Sequence, residues 1–247
     1  MDLPINEFRK RILSLKDRTY EKGFIICGFL SQEYQEELKY LFKKNDYVNY
    51  YLYGGYQGSD YNRLIISTND VDNNDFELTT LKINYSIKEG TFRHSDVLGS
   101  VLALGLKRDV VGDIVRNNND YYIIVCSHVA SFIVENLHYI RNVSCNLEYS
   151  SIDFTVKREY LNIKLFVNSM RLDLIASELM KLSRSKVLEE IKDSNIKVNH
   201  LVCNNNSKIV KENDIISIRG HGRFIVGNAS GYTKSNNIIL NIKKLIS

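Results

Sequence analysis

Apolar residues along this chain recur first at helical spacing and then at two-residue spacing, and the changes of period mark out its elements. Residues 5–22 and 31–44 read as helices, the second with Tyr34, Leu38, Leu41 and Phe42 at helical spacing behind Ser31, a helix-capping residue type. Strand-like runs follow at 48–53 and 61–67, joined by the turn residues Gly54-Gly55-Tyr56-Gln57-Gly58. From residue 78 the order is strand (78–86), helix (96–104), strand (111–116), strand (121–127), helix (129–140) and strand (143–149). That is βαββαβ, the ferredoxin-like arrangement that also underlies many RNA-recognition modules. Asp120-Tyr121-Tyr122-Ile123-Ile124-Val125 lacks the glycine pattern of an RNA-recognition motif's third strand, so the likeness is one of topology.

Beyond a strand-like connection at 154–167, the period returns to helical. Leu172, Ile175, Ala176 and Leu179 form one apolar stripe on a helix starting near Arg171. Ser183 is placed to cap a second helix, whose apolar residues are Val187, Leu188 and Ile191. Ile196, Val198 and Leu201 then alternate with Lys197 and Asn199, and Asn213-Asp214 turns the chain into Ile215, Ile216 and Ile218. Two short basic helices followed by a small β-unit resemble an S4 domain, an RNA-binding module. The expected architecture is α+β in three parts: a small N-terminal α/β domain (1–75), a ferredoxin-like, RNA-recognition-like domain (76–153), and the connecting strand with the S4 domain (154–247).

Charge sharpens this picture. Residues 168–247 hold 13 of the 33 basic and 7 of the 29 acidic residues, a net of +6, which leaves −2 for the other residues of a chain whose total is +4. A basic C-terminal module on a near-neutral body suits an anionic partner. No apolar stretch approaches the roughly 18 residues of a membrane span, and Met1-Asp2-Leu3-Pro4 does not begin a signal peptide, so the expectation is a cytoplasmic protein without membrane contact. Cys27, Cys126, Cys145 and Cys203 are far apart and form no C-x-x-C pair, which argues against zinc and disulfides, and Cys27 and Cys126 lie in apolar stretches that suit core positions.

Candidate chemistry centres on the second basic helix. Arg184 and Lys186 stand in its first turn, where the helix dipole disfavours cations. A phosphate there would relieve the conflict, taking backbone N–H groups, the Ser183 and Ser185 hydroxyls and both cations together. Such contacts hold a nucleic-acid backbone without reading its sequence. The candidate RNA-binding residues are Arg171, Ser183, Arg184, Ser185, Lys186, Lys197, Asn199, Arg219 and Arg223. Arg219 and Arg223 flank Gly220 and Gly222, which serve a tight turn and leave room for RNA; Asp173 is structural, and Ser183 is cap and ligand at once.

No catalytic constellation accompanies them. His94 and Asp96 read as a packed histidine and a helix cap, since no nucleophile or metal set joins them. The glycines at 54, 55 and 58 lack the following Lys-Ser/Thr of a phosphate-binding loop, and no glycine-rich turn serves a methyl-donor cofactor. Arg171-Leu172-Asp173 superficially matches the aspartate motif of pseudouridine synthases, which also carry S4 domains, but here it begins the S4 helix itself. The expectation is a protein that is not an enzyme and needs no cofactor or metal. The rival readings are an RNA-modifying enzyme of the pseudouridine synthase kind and a protein adaptor linked to cell division.

Further motifs join the S4 pattern: Gly54-Gly55-Tyr56, His94-Ser95-Asp96-Val97-Leu98-Gly99, Leu104-Gly105-Leu106-Lys107-Arg108, Gly112-Asp113-Ile114 and Arg219-Gly220-His221-Gly222-Arg223-Phe224. Together they resemble the YlmH-type RNA-binding proteins of Gram-positive bacteria over essentially the whole chain. Two departures are Ser95, where that family usually has Arg, and His200, where S4 domains often have Gly. The resemblance implies a monomeric, non-enzymatic factor of ribosome-associated quality control. Its implied partners are rRNA and tRNA on a large ribosomal subunit obstructed by peptidyl-tRNA, and a factor that adds C-terminal tails.

Overall fold

In a computed structural model of the chain, which describes residues 3–43, 46–156 and 158–246, helix α1 (Ile5–Lys22) buries Phe8 and Ile12 and ends at Gly23. Gly23 takes the left-handed conformation (φ 74°) and donates its N–H to the Thr19 carbonyl, closing the helix as glycine does best. Strand β1 (Phe24–Leu30) follows, then α2 (Gln32–Leu41), β2 (Asn49–Tyr53) and β3 (Asn62–Ser67), with an antiparallel sheet in the order β1-β3-β2. The expected end of the second helix at residue 44 lies outside the described residues. β1 was not legible because Phe-Ile-Ile-Cys-Gly-Phe-Leu is an apolar run with no alternation.

The next sheet is built from β4 (Leu78–Tyr85), β5 (Val111–Asn117), β6 (Asp120–Cys126), β7 (Tyr139–Ile140) and β8 (Val143–Ser150), with α3 (His94–Ala103) and α4 (Ser127–Asn136) in the crossovers. Its order is β5-β6-β4-β8-β7, antiparallel throughout. Asp96 accepts a hydrogen bond from the Arg93 N–H at 2.8 Å and so caps α3, as expected, and His94 keeps an exposed face although burial of its ring lowers the imidazole pKa. The helix expected over 129–140 stops at Asn136. Tyr139 and Ile140 instead pair with Ser144 and Val143 around Arg141, whose φ of 57° makes the turn, and this buries Ile140 completely.

Two buried polar groups fasten the sheets of this first unit, which ends at residue 156. Arg63 on β3 donates to the carbonyls of Cys27, Phe76 and Glu77 at 2.6–3.0 Å. Asp113 on β5 accepts from the Tyr56 hydroxyl (2.7 Å) and from the N–H groups of Asp60 (2.8 Å) and Tyr61 (3.1 Å), in and after the glycine-rich turn. Packing is equally close: a Cβ built on Gly112 would lie 2.6 Å from the Phe29 ring.

The second unit begins at residue 157 and carries β9 (Glu159–Val167), α5 (Leu172–Met180), α6 (Arg184–Lys192), β10 (Ile196–Val198), β11 (Leu201–Val202), β12 (Ile215–Ile218), β13 (Gly222–Tyr232) and β14 (Ile238–Ile246). These strands form one six-stranded sheet in the order β11-β10-β12-β13-β14-β9. Part of the segment expected as a connection is thus a full edge strand, paired with β14 along its length. Leu172, Ile175, Ala176, Val187 and Ile191 of the helices pack with Leu165, Ile196, Val198, Ile216, Ile218, Phe224, Val226 and Ile242 into one core. Full burial of each such side chain contributes roughly 1.5–3 kcal/mol.

The four cysteines are free, and Cys126, Cys145 and Cys203 are buried while Cys27 is half-buried. Burial pushes the thiols of Cys27, Cys126 and Cys145 up to about 11, so they stay protonated and unreactive at neutral pH.

Candidate nucleic-acid interface

The residues expected to bind RNA fall into two clusters of the second unit, one at the helix starts and one on the sheet. At the helix starts, Asp173 is completely buried in the first turn of α5. Arg171, at the N-cap of α5, grips it with two hydrogen bonds, Nε to Oδ1 (3.0 Å) and Nη2 to Oδ2 (2.9 Å). Arg184, the first residue of α6, adds Nε to Oδ2 at 2.8 Å and Nη2 at 2.7 Å. Burial pushes this carboxyl upward, but the hydrogen bonds and charges of Arg171 and Arg184 outweigh it and hold the group below the ordinary aspartate value. Asp173 is structural, and Arg184, expected to meet a phosphate together with Lys186, already holds this internal carboxylate, as does Arg171. The dipole conflict at the start of α6 is therefore partly relieved from within the fold.

One positive charge is left over from these three groups, and Arg184 remains 53% exposed. Beyond it, Ser183, Ser185 and Lys186 are all exposed. Ser183 stands at the N-cap of α6 without a side-chain bond to the helix backbone; its Oγ lies 3.0 Å from Ser185 Oγ instead. Lys186 makes no ion pair among the described residues, while Lys181 nearby is held by Glu178 at 3.1 Å. A helix leaves its first N–H groups without intrahelical acceptors. The α5 start is closed differently: the Leu172 and Asp173 N–H groups donate to the carbonyls of Lys208 and Asn206.

On the sheet, Lys197 of β10 and Arg223 of β13 flank Ser217 of β12 in one cross-strand row, all three half-buried. Asn199 is used internally: its Nδ2 donates to Asp214 Oδ1 and its Oδ1 accepts from the Ile215 N–H, each at 2.8 Å. Asn199 and His200 both adopt positive φ, 50° and 69°, between β10 and β11, so a histidine makes the turn where glycine is commonest. Arg219 is exposed in the β12–β13 turn, where Gly220 (φ 77°) and Gly222 (φ 111°) supply the bend expected of them. Overlooked in the sequence was the alternation of Tyr160, Asn162, Lys164 and Phe166 against Leu161, Ile163, Leu165 and Val167, which makes β9 a two-faced strand.

Comparison with known proteins matches two stretches of the chain. A family model described as "Putative RNA-binding domain in YlmH" matches residues 72–154. The S4 domain model matches residues 170–216, from just before α5 into β12. A protein of Bacillus subtilis (strain 168) named ribosome-associated protein quality control protein P2 is 31% identical over 187 residues, 74% of this chain and 73% of that protein. The structure described as cell division protein ylmH from Streptococcus pneumoniae superposes with a TM-score of 0.53 at 18% identity, over 61% of this chain and 93% of that one; this likeness concerns the fold.

Proposed function

The chain belongs to the YlmH family, and on that footing we propose that it is a non-catalytic, cytoplasmic protein that binds rRNA and tRNA on the large ribosomal subunit. Its role is in ribosome-associated quality control, acting where peptidyl-tRNA obstructs the subunit and a partner factor adds C-terminal tails. The observation that carries this reading is the exposed first turn of α6, where Ser183, Ser185 and Lys186 stand in solvent at a helix start, beside an arginine pair with one charge to spare. Folded RNA is held largely through its shape, phosphates and 2′-hydroxyls, and such a turn serves that purpose without a sequence code.

The rival enzyme reading loses its key residue. Asp173, the only aspartate of the Arg-Leu-Asp tripeptide, has no exposed surface and both of its oxygens are engaged by arginine. A nucleophile has to reach its substrate.

Sucrose-gradient sedimentation of the full chain with purified large subunits tests the proposal. The expected result is co-sedimentation that weakens on Lys186→Glu and falls with rising salt. Unchanged co-sedimentation of Lys186→Glu, or none for the unaltered chain, contradicts it, and capture surviving nuclease treatment would favour the adaptor reading.

A further inference from the structure

The second unit has two sides, and only one carries helices. α5 and α6 cover the sheet face that presents Leu165, Ile196, Ile216, Phe224 and Ile242 to the core. Strand alternation sends the intervening residues to the opposite face. There the register sets Ile225 beside Lys243 and Lys243 beside Asn162, then Asn241 beside Lys164 and Ile239 beside Phe166. Lys164, Lys243 and Asn162 are exposed, and Phe166 keeps 53% of its surface in water. The Lys197–Ser217–Arg223 row continues the same face on the far side of β13.

Two features say what such a face would take. The first is charge: β9, β10, β12, β13 and β14 contain one carboxylate between them, Glu159, and its place in the alternation is opposite to that of Lys164. Among the described residues of these strands the face carries cations and no carboxylate, which suits a polyanion. The second is the aromatic ring at the sheet edge. Phe166 and Lys164 lie two residues apart on one strand, about 6.8 Å along it, so a base can stack on the ring while its phosphate meets the lysine. Neither matched domain includes β9, β13 or β14, since the matches cover 72–154 and 170–216.

We propose that this outer sheet face, centred on Lys164, Lys243 and Phe166, is a second RNA-binding surface that takes an unpaired stretch of RNA. It rests on the reading of the chain as an RNA-binding protein and adds a division of labour: paired RNA at the start of α6, unpaired RNA on the sheet. Asn162 and Asn241 supply amides at the same place for base edges, the latter already donating to Asn228 Oδ1 at 3.0 Å.

The test is fluorescence anisotropy with the full chain and two labelled probes, a uridine dodecamer and an RNA hairpin with a long paired stem. Lys164→Ala with Lys243→Ala, and separately Phe166→Ala, should weaken dodecamer binding by about fivefold or more and leave hairpin binding within about twofold. The double lysine variant should also flatten the salt dependence by about one to two phosphates' worth of slope. Lys186→Ala should do the reverse, weakening the hairpin more than the dodecamer. Lys164→Arg with Lys243→Arg and Phe166→Tyr should bind as the unaltered chain does, which separates loss of contact from loss of fold. Dodecamer binding unchanged in the alanine variants, with hairpin binding still lost in Lys186→Ala, overturns the second surface and leaves the first reading standing. Displacement of the dodecamer by polyglutamate as readily as by unlabelled RNA also overturns it, marking a site for acidic peptides. Failure of the unaltered chain to bind either probe overturns both.

Discussion

Asp173 shows how one residue sets what its neighbours can do. With no exposed surface, it must be compensated by Arg171 and Arg184 together, and removing both arginines would strand a buried carboxylate at a cost of about 3–5 kcal/mol. Arg184→Ala thus confuses lost RNA contact with lost stability, and Lys186, exposed and away from this triad, is the clean probe of binding. Because the folded-state pKa of Asp173 lies below its unfolded value of 3.8, its contribution is present above that value and disappears as pH falls through the folded pKa. Thermal melts of the second unit should therefore lose stability below about pH 4, and Asp173→Asn should blunt that acid loss. The sequence offered Arg171-Leu172-Asp173 as a motif, and structural use of Asp173 was legible from its place in the first helical turn. That Arg184, eleven positions on, shares the same carboxylate was not, because it depends on how α5 and α6 pack.

At the level of elements, legibility followed periodicity. The helices and the alternating strands β8 and β10 declared themselves through spacing, but β1 did not, being apolar on both sides. The β13–β14 hairpin stayed hidden because Gly227, Asn228, Ser230 and Gly231 interrupt its pattern where the register shifts by bulges. The join between the two sheets of the first unit was invisible as well, though its parts stood in the motifs Gly54-Gly55-Tyr56 and Gly112-Asp113-Ile114. Gly112 is glycine because the Phe29 ring occupies the space of a side chain; Gly112→Ala should destabilise the first unit by about 1–3 kcal/mol in denaturant melts. Asp113 carries a titration of opposite sign to Asp173. Burial raises its pKa despite three donated hydrogen bonds, so the folded state binds its proton more readily than the unfolded chain does. Its contribution is full below 3.8 and declines as pH rises through the raised folded value, and Asp113→Ala should remove that decline from melts of the first unit.

Across the whole molecule, charge and fold divide at nearly the same place. Residues 157–247, a unit with its own sheet and its own core, hold 16 basic and 8 acidic residues, a net of +8, while residues 1–156 hold 17 and 21, a net of −4. Long-range electrostatics should then dominate association: affinity for RNA should fall linearly with the logarithm of salt, with a slope near 0.7–0.9 per phosphate contacted. Reversing charge at exposed first-unit lysines such as Lys39, which is already paired with Glu36, should leave that slope unchanged. The most direct measurement is ultraviolet crosslinking of the full chain to native ribosomes with identification of the attached peptides. Crosslinks at the start of α6, around Ser183–Lys186, and on rRNA of the large subunit are the predicted result; crosslinks confined to residues 3–156, or none, would contradict the account.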